Sequence, residues 1–184
     1  MTRAALTRAA LSRAALSRAA LALGANLGDP TAALRNAVAA LRAHPDVHVE
    51  AVSGLWRTVA VGGPQQQDYL NAVVLVDTTL DARALLDVAH EVEAAAGRIR
   101  DVRWGPRTLD VDMLAYADQH SDDPELTLPH PRAHERRFVL APWAQVDAAH
   151  ALTPPGLPGR TVAEWAELVV DQQVTLVDGG SWCQ

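Results

Sequence analysis

The stretch Arg103-Trp-Gly-Pro-Arg107-Thr-Leu-Asp110-Val-Asp112-Met-Leu114 decides how this chain is read. Side chains along a strand alternate faces. Thr108, Asp110 and Asp112 therefore share one face, and Leu109, Val111 and Met113 share the other. A strand with one apolar face has a core to sit on. Its opposite face carries two carboxylates, with arginines just upstream. Carboxylates this close repel each other unless a cation lies between them. Hard oxygen ligands with no Cys or His beside them suit Mg²⁺. Arginines next to such a site suit a phosphate chain. Asp-x-Asp alone is common on solvated strands. The preceding Arg-Trp-Gly-Pro-Arg argues against that plainer reading, because Trp beside Gly-Pro is costly on a solvated turn.

The chain has 184 residues and 49% hydrophobic content, enough for one domain with its own core. A formal net charge of −6 argues against a general nucleic-acid footprint. No apolar run approaches the length of a membrane span. The single cysteine, Cys183, excludes an internal disulfide and a zinc-cysteine site, so the cytoplasm is the expected compartment. All 16 basic residues are arginine. That removes any Walker, Schiff-base or general-base lysine. Arg98, Arg100, Arg103 and Arg107 form one cluster; Arg132, Arg136 and Arg137 form a second.

Residues 2–21 repeat Thr/Ser-Arg-Ala-Ala-Leu. A five-residue step does not align the leucines on one helical stripe. Residues 1–18 thus read as a repetitive N-terminal extension with no core face to order it, and residues 19–184 as the domain.

The spacing predicts a first strand over Ala19–Gly24. A helix follows, capped by Asp29 with Pro30 at its first position, running to about Ala43. Val47–Thr58 alternates as a second strand, and Val59–Asp68 reads as a loop. Tyr69–Thr78 is a third strand. Asp81 caps a helix that Gly97 ends. Arg98–Pro106 is a second loop before the aspartate strand. Residues 117–125 read as a surface loop. Phe138–Val146 reads as a short helix, and Thr161 caps a last helix to Val170. The order β-α-β-β-α-β with extra C-terminal helices predicts an α+β, ferredoxin-like sandwich: an antiparallel sheet with helices on one face. The other face is expected to be open and to carry Asp110 and Asp112. The final helix is expected on the helical side.

Tyr69 and Asn71 share a strand face. A ring beside an amide suits a flat polar heterocycle: one stacks and the other reads edge donors and acceptors. Phe138, the only phenylalanine, follows Arg136-Arg137. Glu93 lies at the edge of its helix's apolar face, within reach of the arginine loop. His130 and His134 have helical metal-ligand spacing, but Pro131 intervenes and no third ligand is near. His130 reads instead as a phosphate or loop contact. Gly24-Ala-Asn-Leu-Gly28 joins strand to helix without Walker or dinucleotide spacing.

Together these segments resemble the 6-hydroxymethyl-7,8-dihydropterin pyrophosphokinase family of folate biosynthesis. The likeness runs from about Ala19 to Val146. Its segments are Leu23-Gly-Ala-Asn-Leu-Gly-Asp29, Arg57-Thr58, Gln67-Asp-Tyr-Leu-Asn-Ala-Val73, Gly97-Arg98-Ile-Arg100, the aspartate signature, Leu128-Pro-His-Pro-Arg132, and Arg136-x-Phe138-Val-Leu.

The resemblance implies transfer of pyrophosphate from ATP to 6-hydroxymethyl-7,8-dihydropterin, with release of AMP. It implies that Asp110 and Asp112 hold two Mg²⁺ ions. Arg98 and Arg107 would stabilise charge as the α–β bridge breaks. Glu93, Arg100, Trp104, His130 and Arg136 would bind ATP, with Trp104 helping to close the arginine loop. Thr58, Tyr69, Asn71 and Phe138 would bind the pterin. A monomer is expected, with no nucleic-acid or membrane partner. Val59-Ala60 stand where prolines are usual in the family, which changes the expected shape of the pterin loop. Two other readings keep the fold. One is a non-catalytic ligand-binding module. The other is a different Mg²⁺-dependent phosphoryl transferase, which would release ADP.

Overall fold

A computed structural model describes residues 16–59, 66–97 and 107–184. The repeat near the N-terminus falls outside the described residues as far as residue 15. The first strand, β1 (Ser17–Ala25), starts slightly before its expected position, and Arg18 is already paired with Asp77. Helix α1 (Pro30–Ala43) starts where the sequence indicates: the Asp29 side chain accepts from the Ala32 N–H at 3.0 Å. Strands β2 (Val47–Val52) and β3 (Leu55–Thr58) follow, then β4 (Tyr69–Thr78). Helix α2 (Ala82–Ala95) is capped by Asp81 and followed by Gly97 at φ +72°, the left-handed position that glycine takes without strain. Strand β5 (Asp110–Tyr116) carries the two aspartates.

The expected second strand is broken at Ser53-Gly54. Both halves still pair with β4, Val52 opposite Val74 and Trp56 opposite Asn71. At the break the Ser53 hydroxyl accepts the Val73 N–H at 2.9 Å, so the ladder keeps its hydrogen bond. A Cβ on Gly54 would lie 2.3 Å from the Asp178 carbonyl, so only glycine fits there.

The surface loop expected at 117–125 instead contains most of a small hairpin, β6 (Ser121–Asp123) and β7 (Leu126–Leu128). Helix α3 (Arg137–Asp147) follows. The short pair β8 (Ala151–Leu152) and β9 (Arg160–Thr161) leads into α4 (Val162–Leu168), which Thr161 and Glu164 open with a reciprocal capping box. Strand β10 (Val174–Asp178) was not expected from sequence.

The main sheet runs β10-β3-β4-β1-β5, with β2 beside β4, and every pairing is antiparallel. Without β10, this is the strand order of the β-α-β-β-α-β sandwich. Leu21, Leu23, Val74, Val76, Val111 and Met113 face α1 and α2 and form the larger core. The other face is not open along its whole length. Ala20, Val73, Leu75 and Leu114 pack there against Val139, Leu140 and Trp143 of α3 and Val162 and Trp165 of α4. The extra C-terminal helices therefore cover the side opposite α1 and α2, and the expected position of the final helix is corrected. The reason lies in the strands: their same-face residues at that end are apolar and have to be covered.

The chain's end closes the larger core. Trp182 is 3% exposed, and its indole N–H donates to the Ser53 carbonyl at 2.9 Å. Arg35 and Arg42 of α1 donate to the Trp182 and Cys183 carbonyls. Among the described residues, no helix is long and apolar enough to cross a membrane.

Candidate active site

Three neighbouring strands change character in step. Leu75, Ala20 and Ala115 form an apolar row across β4, β1 and β5. The next row on that face is Val73, Ala22 and Asp112, and the next is Asn71, Gly24 and Asp110. The helical cover lies on the apolar rows, while the polar rows carry the candidate site. Paired residues across antiparallel strands present side chains to the same face. Asp110, Asp112, Asn71, Tyr69, Thr58 and Trp56 therefore all belong to one surface.

At its β3–β4 end, the Asn71 amide N–H donates to the Thr58 hydroxyl at 3.0 Å and more weakly to the Trp56 carbonyl at 3.4 Å. Both Asn71 and Thr58 are buried. This fixes the amide's orientation and leaves its oxygen toward Gly24, where a Cβ would lie 3.4 Å from it. The half-buried Tyr69 hydroxyl donates to the Gln66 side chain at 3.3 Å, and burial raises its pKa. Trp56 shares this face, and its indole N–H reaches the Gln145 side chain at 3.2 Å.

At the β5 end, burial and then the Asp110 charge raise the Asp112 pKa to about 6. Arg136 and Arg107 act in the opposite direction on Asp112. Arg107 makes an ion pair with Asp110. Arg136 is largely buried, which lowers its pKa, and its guanidinium lies 5.7 Å from the centre of the Phe138 ring. The His130 N–H donates to the Leu114 carbonyl at 2.8 Å, which ties its loop to β5. Its Nδ1 accepts the Arg132 N–H at 3.1 Å. Burial and then Arg136 lower the His130 pKa to about 4. A neutral imidazole accepting at Nδ1 carries its proton on Nε2, so His130 presents a donor without a charge.

Among the described residues, the structure brings together Thr58, Tyr69, Asn71, Arg107, Asp110, Asp112, His130, Arg136 and Phe138. Glu93 sits deeper than its expected position at the edge of the helix's apolar face. It is 3% exposed on the buried face of α2, and its Oε1 accepts the Val111 N–H at 2.8 Å. It thereby holds the backbone between the two aspartates. Arg98, Arg100 and Trp104 lie outside the described residues.

Sequence reading missed Asn26, which is 1% exposed. Its amide donates to the Gln66 side chain and the Gln67 carbonyl, both at 3.0 Å, and accepts the Arg107 N–H at 2.8 Å. Its own N–H donates to the Arg107 carbonyl at 3.0 Å. One side chain thus ties Gln66-Gln67, leading into β4, to Arg107, leading into β5. Its place in Gly24-Ala-Asn-Leu-Gly28 was a usable signal: a polar residue set among glycines at a strand end.

The donor set favours a hard divalent cation. Asp110 and Asp112 supply adjacent carboxylates, and Asp112 resists ionisation without a compensating charge. Among the described residues, no group of three or more His, Cys, Asp or Glu is gathered to hold a metal. A cation held here would take its other ligands from water or phosphate, as Mg²⁺ commonly does.

The family model for 7,8-dihydro-6-hydroxymethylpterin-pyrophosphokinase matches residues 20–148. The chain belongs to this family. It is 44% identical over 125 residues to the 2-amino-4-hydroxy-6-hydroxymethyldihydropteridine pyrophosphokinase of Bacillus subtilis, covering 68% of this chain and 75% of that one. It is 46% identical over 124 residues to the Methylorubrum extorquens protein of the same name, covering 67% and 78%. Its fold is similar to that of a Plasmodium falciparum HPPK-DHPS crystal structure with pterin and p-hydroxybenzoate. The TM-score there is 0.64 at 14% identity, over 85% of this chain and 43% of that one. The chain thus spans less than half of that longer protein, and the likeness concerns the fold. Every site residue named above falls inside the stretch that the pyrophosphokinase family model matches, whereas α4 and β10 fall beyond it.

Proposed function

We infer that this chain transfers the β,γ-pyrophosphoryl group of ATP to the hydroxymethyl oxygen of 6-hydroxymethyl-7,8-dihydropterin, giving AMP and the pterin diphosphate used in folate biosynthesis. The observation that carries the reading is the shared surface. A fixed amide beside an aromatic ring faces a carboxylate pair across a glycine. Those are the parts needed to bring a flat heterocycle to a metal-bound triphosphate.

Asp110 and Asp112 would hold two Mg²⁺ ions, which neutralise phosphate charge and favour in-line displacement. Glu93 would support them by fixing the Val111 backbone. Tyr69 and Phe138 would sandwich the pterin, and Asn71, oriented by Thr58, would read its edge. His130, Arg136, Arg100 and Trp104 would hold the nucleotide, with His130 donating from Nε2. In the transfer, the hydroxymethyl oxygen bonds to the β-phosphorus. The bond from that phosphorus to the α–β bridging oxygen breaks, and its electron pair leaves on AMP. The hydroxyl proton passes to solvent. Arg98 and Arg107 would offset the charge that develops on the bridging oxygen. No protein nucleophile is required; positioning and electrostatics carry the rate. The enzyme would work as a cytoplasmic monomer.

Nucleotide product analysis tests this. Incubated with ATP, Mg²⁺ and the pterin, the protein should release AMP only when the pterin is present, and Asp110→Ala should abolish that release. ADP would select the other phosphoryl transferase. Absence of both Mg²⁺-dependent ATP binding and turnover would select the non-catalytic module.

A further inference from the structure

Gln172 lies in the short connection between α4 and β10, beyond the stretch matched by the family model. Its side-chain amide makes two hydrogen bonds to one distant place. Oε1 accepts the Arg137 N–H at 3.0 Å, and Nε2 donates to the Glu135 carbonyl at 2.7 Å. These two groups belong to the peptide units on either side of Arg136. Arg137 is the first residue of α3, and Arg136 provides no side-chain cap for that helix. Gln172 supplies it from 35 positions along the chain. Bonding both flanking peptides limits rotation about the Arg136 backbone and so fixes where its guanidinium starts. Phe138 stands on the same first turn.

The connection then leads to the other half of the surface. Val174 pairs with Thr58, whose hydroxyl orients Asn71. Residues 172–174 thus join the Arg136–Phe138 side of the site to the Thr58–Asn71 side. Gln172 is itself exposed, so it adds little to either core.

We propose that Gln172 is a positioning residue: its amide sets Arg136 and the first turn of α3, and thereby the placement of both substrates. This rests on the reading that Arg136 and Phe138 bind nucleotide and pterin. The test compares Gln172→Ala, Gln172→Glu and the neighbouring control Gln173→Ala with the wild type. KM for ATP and for the pterin, kcat and Tm are measured for each. Losing two backbone contacts should raise both KM values about tenfold in Gln172→Ala, with Tm nearly unchanged. Gln172→Glu keeps the acceptor facing the Arg137 N–H and should recover part of that loss. Gln173→Ala should match the wild type. In an Arg136→Ala background, Gln172→Ala should add no further rise in KM for ATP. Wild-type kinetics in Gln172→Ala would overturn the proposal, as would a loss fully additive with Arg136→Ala. A loss of activity that only tracks a large fall in Tm would also overturn it. Failure of the functional reading looks different: the wild-type protein itself would make no pterin-dependent AMP.

Discussion

Asp112 lies beside Asp110 on one strand face, and burial together with that neighbour raises its pKa to about 6. The folded state therefore holds its proton more tightly than the unfolded state does. Its contribution to stability is full below about 4, the unfolded range, and is lost as pH rises through about 6. Without metal, Asp112→Asn should melt at a higher temperature than wild type at pH 8, and at much the same temperature at pH 4. Turnover should vanish. Thermal scans in chelator across that range, with Mg²⁺-ATP added back, check this. The added Mg²⁺-ATP should stabilise wild type and leave Asp112→Asn nearly unaffected.

His130 gives the opposite slope. Its pKa is lowered to about 4 from the usual 6.5. Stability from the neutral ring is full above about 6.5 and is lost as pH falls through about 4. His130→Gln should remove that acid-side loss and leave the Asp112 slope alone, so that its stability falls as pH rises from about 4 to 6. The two slopes oppose each other between about 4 and 6, so the wild-type profile conceals both and only the variants separate them. Titration of the His130 ring by NMR, with and without ATP, should show its pKa rise when phosphate is bound.

Asn26→Ala should cost about 1–2 kcal/mol in chemical denaturation, because the buried Asn26 amide is lost and the partly buried Gln67 carbonyl and Arg107 N–H lose their partner. It should also lower kcat/KM, since Arg107 then enters β5 without its anchor. Asn26→Asp keeps the acceptor for the Arg107 N–H but turns a carboxylate oxygen onto the Gln66 side chain and the Gln67 carbonyl, and should cost at least as much as Asn26→Ala.

Trp182→Ala should cost about 3–5 kcal/mol, the usual loss for a large aromatic removed from a core. Gly54→Ala should be similarly damaging for a different reason: its methyl group would collide with the Asp178 carbonyl and push β10 off β3. Equilibrium unfolding of both variants checks this.

Much of the sheet was legible because the information is local. Tyr69–Thr78 announces itself by its apolar run, and Asp29, Asp81 and Gly97 act on groups a few residues away. The carboxylate pair follows from strand alternation alone. What was missed depends on distant partners. The break at Ser53-Gly54 brings Gly54 against the Asp178 carbonyl, a partner more than a hundred positions away. Asn26 bonds groups 40 or more positions away. The side on which α3 packs is decided by which strand face is left apolar, and that face exists only after β1, β4 and β5 are in register. Glu93 and His130 were noticed in the sequence, but their burial was not, because burial is a property of the assembled neighbours.

Gly24 lies opposite Asn71 on one side and Asp110 on the other. The spacing of two adjacent strands therefore acts as a ruler of roughly 10 Å between the backbone positions of Asn71 and Asp110. Strand hydrogen bonding fixes the two backbone positions, and the Thr58 bond to Asn71 and the Arg107 ion pair with Asp110 set where each side chain reaches from them. A larger residue at Gly24 would press on the Asn71 amide oxygen and raise a wall between the two ends, so that molecules seated at either end would be kept from meeting.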